Sequence, residues 1–140
     1  MRFPEIFLAS IMCCVAVQSA TAAECLRYEP ATVMLPGIVS LRNGFGPPGF
    51  GEDPAHDSKE SWYVITLDSP ICVRASPNDL LNGEAESDVM EMQIVLRDGF
   101  SSYRDWIGKH VAITGTLFHA ITAHHRTAVL VTEFSAKILQ

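Results

Sequence analysis

Two C-terminal segments constrain the fold of this chain more than any other part of it. From His110 to Phe118, Val111, Ile113, Gly115 and Leu117 alternate with Ala112, Thr114, Thr116 and Phe118, and Thr127 to Phe134 is a β-branched run just beyond a short turn. Alternation with period two sends successive side chains to opposite faces of an extended chain, whereas a helix needs a period of 3.6. The two segments therefore predict a β-hairpin, and with it a fold built mainly of strands.

The preceding residues supply three more strands. Thr32 to Leu41 carries Val33, Leu35 and Val39 but is interrupted by Pro36-Gly37, which predicts a bent or bulged edge strand, because proline brings no N–H to a ladder. Asn43 to Pro54 is dense in Gly and Pro around Phe45 and Phe50 and reads as a long surface loop. Trp62 to Leu67 reads as strand two, followed by a shorter apolar stretch from Pro70 to Val73, a Pro77-Asn78-Asp79 turn and an acidic run through Asp88. Val89 to Leu96 reads as strand three, with Met90, Met92, Ile94 and Leu96 on its buried face. Ser101 or Ser102 as a cap, Tyr103 to Ile107, and Gly108 as a stop predict a short helix. Three strands, a helix and two strands is the order of an OB-like five-stranded barrel with one short helix between strands three and four. A β-sandwich with one helix is the competing arrangement.

The N-terminus sets the compartment. Met1-Arg2 leads into an apolar run from Ile6 to Val17 and then Ala20-Thr21-Ala22, the pattern of a secretory signal peptide over residues 1–22. The run falls short of the roughly 20 apolar residues of a spanning helix. A single domain over 23–140, periplasmic or secreted, with no transmembrane segment in the mature chain, is the expectation. Cys13 and Cys14 leave with the leader, so Cys25 and Cys72 have one possible pairing in an oxidising compartment. Ile11-Met12 before Cys13 argues against a lipid anchor, which needs a small residue there. Loss of Arg2 and Glu5 cancels, so the mature net charge stays at −6. The basic residues are scattered singly, which excludes nucleic acid as a partner.

Glu24-Cys25-Leu26-Arg27-Tyr28-Glu29-Pro30, Ser69-Pro70-Ile71-Cys72-Val73 and the block from Gly108 to Thr127 resemble an uncharacterised family of small exported bacterial proteins known only as domain of unknown function forty-four thirty-one. The resemblance implies one exported domain with the two cysteines kept as a pair, and no established activity, cofactor or partner. That family's final motif carries a third consecutive histidine and a glycine before the histidines, where this chain has Arg126 and Ala123. A metal site built on that motif is correspondingly disfavoured.

Two candidate sites emerge. His119, His124 and His125, with His110 one strand back, could hold a transition metal such as zinc or copper, since neutral imidazole is a common ligand for both. Neighbours in a strand point to opposite faces, so His124 and His125 converge with His119 only if they lie in the turn. Glu133 or an acid of the 52–57 loop would have to serve as a general base. The second candidate is a binding surface made of Phe45 and Phe50, hard to bury in a Pro/Gly loop, together with His119 and His124. Ser101-Ser102 has no nucleophile-elbow context, and no complete acid, base and nucleophile set is present. A non-enzymatic binding module for a protein, peptide or glycan is the expected function. A metal-binding protein or metal-dependent enzyme centred on the histidines is the alternative.

Overall fold

Six strands fold around one apolar core in the computed structural model, which describes residues 24–96 and 100–140. The expected signal peptide and the side chains of Ser101 and Ser102 lie outside the described residues. None of the described helices is long and apolar enough to cross a membrane. The strands are β1 (Leu26–Arg27), β2 (Thr32–Phe45), β3 (Lys59–Arg74), β4 (Glu86–Val95), β5 (His110–His119) and β6 (Val129–Ile138). β2 runs antiparallel between β3 and β5, β5 pairs with β6, and β3 pairs with β4. β6 returns parallel to β4, so hydrogen bonding passes around the five long strands as a ring. This is the OB-like connectivity that the strand order predicts, and one ring-like sheet takes the place of the two faces of a sandwich.

The period-two pattern explains the core. Val39, Ile65, Met92, Val111, Ile113, Leu117, Val129 and Val131 are fully buried inside the ring. Each such aliphatic side chain contributes roughly 1.5–3 kcal/mol by leaving water. Met34 and Ile38, one step out of phase with Leu35 and Val39, are exposed.

Several boundaries correct the sequence reading. β2 is an unbroken central strand, not a bent edge. Val39 exchanges both its backbone groups with the β5 side, donating to Lys109 O and accepting from Gly108 N. Alternation therefore turns the nitrogen of Pro36 towards β3, whose pairing begins only at Gly37, so no ladder bond is lost. A Cβ on Gly37 would lie 2.3 Å from the carbonyl oxygen of Thr66, and the absent side chain is what lets β2 and β3 approach. Asn43, Gly44 and Phe45, assigned to the loop, continue β2 opposite Lys59 to Ser61. Strand two and the Pro70–Val73 stretch are one strand, β3, whose ladder to β4 is irregular between Thr66 and Ile71, where Asp68, Ser69 and Pro70 are exposed. The end of the acidic run, Glu86 to Asp88, belongs to β4. The β-branched run becomes a strand only at Val129, because the Thr127 hydroxyl is engaged in accepting from Gln93 N and donating to Val129 O.

The expected helix is a 3-10 turn over Phe100–Trp106, ended by Gly108 at φ 76°. It presses Tyr103 and Trp106 against the core, and Tyr103 donates a hydrogen bond to Glu133 at 2.7 Å with both groups buried. Glu133, considered above as a general base, is thus an internal anchor. Tyr103→Phe is expected to cost about 1.5 kcal/mol in urea unfolding, the lower end for a hydrogen bond to a charged group.

A sixth strand closes the end of the ring. Cys25 and Cys72 form a disulfide that carries β1 onto the last residues of β3, in parallel register with Val73 and Arg74. Beyond it Glu29 N donates to Leu117 O at 2.8 Å, so the segment crosses from β3 to β5 and drives Tyr28 into the core. The Tyr28 hydroxyl is buried without a hydrogen-bond partner. Burial, and after it the charges of Glu86 and Glu84, push its pKa up to about 12.

Candidate functional site

The loop from Gly46 to Ser58 and the turn from Ala120 to Ala128 meet beside the start of β3 and the end of β4. Asp57 organises the loop: its carboxylate accepts the amides of Gly49 at 2.6 Å, Gly51 at 2.7 Å and Asp53 at 3.3 Å. Burial raises the Asp57 carboxyl, but the amides of Gly51, Gly49 and Asp53 outweigh it and hold the group below the usual carboxylate range. The acidic 52–57 segment is therefore a self-bonded loop that presents Phe50, at φ 51°, towards the turn.

Arg126 joins the two loops. Its guanidinium donates to Phe45 O at 2.7 Å and to Glu60 at 2.6 Å, while its backbone N–H donates to the Gln93 side chain at 2.6 Å. The same guanidinium lies 4.7 Å from the Trp62 ring centre and 5.5 Å from that of Phe50, a double cation–π contact. The other oxygen of Glu60 meets His124 Nδ1 at 2.9 Å, and His124 packs edge-on against Phe50 at 5.3 Å. The hydrogen bond from Arg126, opposed by burial and helped by His124, holds the Glu60 carboxyl below its ordinary range.

Between these residues and the β3–β4 seam lies a pocket of about 430 Å³. Pairing of β3 with β4 begins at Tyr63 opposite Ile94, so Ser61 and Trp62 have no β4 partner, and the pocket occupies the space that this leaves. Trp62, Tyr63, Gln93, Ile94, His124 and Arg126 line it. A larger groove of about 630 Å³ lies between residues 27–31 and 74–79, where Arg74 is paired with Glu24 and Asp79 with Asn82.

The expected recognition residues are placed unevenly. Phe50 and His124 meet at the pocket, and Phe45 contributes its carbonyl to Arg126. His119 faces away from them, with Nε2 on Glu86 and its amide on the Asn82 side chain. His125 accepts the Ile121 amide at Nδ1 and packs on Phe118. Burial, then the charge of His124, lowers the pKa of His125, which suits an imidazole used as a neutral acceptor. The three histidines expected to share a metal are thus directed at three different partners. His110 is engaged by Asp68. Glu60, Trp62, Gln93 and Arg126 were not selected by sequence reasoning, and the replacement of a third histidine by Arg126 was the one available signal.

No curated protein and no solved structure matches the chain. Over residues 91–132, which contain Gln93, the 120–128 turn and Arg126 but neither the 46–58 loop nor Trp62, the chain matches the model of a family described as Domain of unknown function (DUF4431), the family that its sequence resembles.

Proposed function

We propose that this chain is an exported, non-enzymatic binding module that takes a neutral oligosaccharide at the junction of the 46–58 loop and the 120–128 turn. The observation that carries this reading is the pocket itself, where the half-buried ring of Trp62 sits beside Glu60, Gln93 and His124. Ring faces pack on the C–H side of a sugar, and polar groups at their rim bond its hydroxyls. In OB-like barrels the corresponding face and loops bind oligonucleotides and oligosaccharides, an analogy of fold that supplies the location and not the ligand. A net charge of −6, with Arg126 already paired to Glu60, speaks against the polyanion and leaves the sugar. The leader sequence supports export, and the disulfide is compatible with an oxidising compartment.

Trp62 and Trp106 are the two tryptophans of the chain, so Trp106→Phe leaves a single reporter in the pocket. Tetrasaccharides of glucose and of N-acetylglucosamine are titrated against its fluorescence, with a single-stranded oligonucleotide as control. At least one sugar is expected to shift the emission saturably, and His124→Ala is expected to weaken it about three- to tenfold, the value of one hydrogen bond. A spectrum unmoved by both sugars at millimolar concentration, or moved only by the oligonucleotide, would refute the reading.

A further inference from the structure

Among the described residues, one group of three metal-ligating side chains brings its ligand atoms within 4.8 Å of one another: Glu84, Glu86 and His119. His119 Nε2 lies 3.0 Å from Glu86 Oε1 and 3.8 Å from Glu84 Oε2. Its Nδ1 lies 3.2 Å from the carbonyl oxygen of Ala120. A carbonyl can only accept, so Nδ1 carries the proton and, in the neutral ring, Nε2 presents its lone pair to the two carboxylates. Three acceptors aimed at one point need positive charge among them. A backbone carbonyl that fixes the tautomer while the other nitrogen faces carboxylates is the usual support of a metal-bound histidine.

The surroundings are built to hold this arrangement. Asn82, buried at 2 % exposure, accepts the His119 amide at 2.9 Å through Oδ1 and donates through Nδ2 to Asp79 at 2.8 Å, pinning the 79–86 segment to the end of β5. A second, independent feature points to a ligand. Tyr28, also 2 % exposed, packs edge-on against the His119 ring at 6.3 Å and has a hydroxyl without a hydrogen-bond partner, close enough to Glu86 and Glu84 for their charges to oppose its ionisation. Leaving a buried hydroxyl unpaired is unfavourable, and a hydrated ion beside it would supply the missing partner.

We propose that Glu84, Glu86 and His119 form a zinc site with an open coordination position, separate from the oligosaccharide pocket and independent of His124 and His125. Two ligands each about 2.0–2.1 Å from a tetrahedral zinc lie about 3.3 Å apart, between the 3.0 and 3.8 Å that separate Nε2 from the two carboxylates. One imidazole and two carboxylates suit zinc, and they balance its charge where an imidazolium would leave one negative charge over.

The test is calorimetric titration of zinc chloride into chelator-treated protein with the Cys25–Cys72 bond formed, repeated with cobalt to read the ligand-field spectrum. One zinc per chain is expected, with Glu84→Gln and Glu86→Gln each weakening it at least tenfold and the double variant His124→Ala/His125→Ala binding as the parent does. The Glu84 side chain is 79 % exposed, so Glu84→Gln cannot fail merely by unfolding. Absence of saturable one-to-one binding, binding indifferent to both glutamine variants, or binding lost with His124 and His125 would each overturn the site. The first of these outcomes identifies the cluster as a plain His119–Glu86 side-chain contact.

Discussion

Replacing Cys25 and Cys72 together by serine is expected to lower the free energy of unfolding by roughly 4 kcal/mol. The cross-link spans 47 residues, and closing a loop of that length removes about this much conformational freedom from the unfolded chain in the chain-entropy treatment. The folded state magnifies the consequence locally. β1 has only two residues, in register with Val73 and Arg74, and after it the segment is held by the single backbone bond from Glu29 to Leu117. Without the covalent tie, that short ladder must by itself keep Tyr28 in the core against the fraying of a chain end. Guanidinium unfolding of the oxidised parent and the double variant measures the difference. Hydrogen exchange should show the excess opening concentrated in residues 25–31 and 72–74. A loss below about 1 kcal/mol would mean that β1 and Tyr28 hold the ring closed without the disulfide, contrary to the loop-closure account.

How much of this could be seen in the sequence depends on the range of the interaction responsible. The β5–β6 hairpin, the burial of Met92 and Ile94 though not of Met90 on the same face, and the turn at Gly108 follow from local pattern, and the strand order was enough to imply the ring. Pro36-Gly37 misled because a proline looks incompatible with a central strand until one knows which neighbour its nitrogen faces. Asn43 to Phe45 misled because breaker residues are tolerated when an established partner strand continues opposite them. Phe50 and His124 were legible as exposed chemistry, but the clamp that joins them was not. Arg126 and Glu60 are 66 residues apart, and nothing local marks them as a pair. The histidines show the reverse: closeness in sequence suggests a shared ligand, while the turn sends the three rings to Glu86, Glu60 and Phe118.

Arg126→Met should cost about 2–3 kcal/mol at neutral pH. Methionine keeps much of the length and apolar contact of the side chain but leaves the Glu60 carboxylate and the Phe45 carbonyl without their shared donor. Breaking a fully buried ion pair costs roughly 3–5 kcal/mol, and the smaller figure reflects side chains 17 % and 26 % exposed, with His124 still 2.9 Å from Glu60. The pH dependence distinguishes loss of the pair from loss of packing. Glu60 has its pKa lowered in the folded state chiefly by Arg126, so its contribution is fully present above the unfolded value near 4.5 and disappears as pH falls towards the lower folded value. In Arg126→Met that lowering is largely gone, and the two proteins should converge in stability as Glu60 is protonated in both. Urea unfolding at pH 7 and at pH 3 reads this directly: a difference that narrows in acid assigns the clamp to the Arg126–Glu60 pair, whereas a difference that stays constant would assign it to the packing of Arg126 against Trp62 and Phe50. The pocket should respond in the same way, since the guanidinium that holds the 46–58 loop against the turn is also what fixes one wall of it.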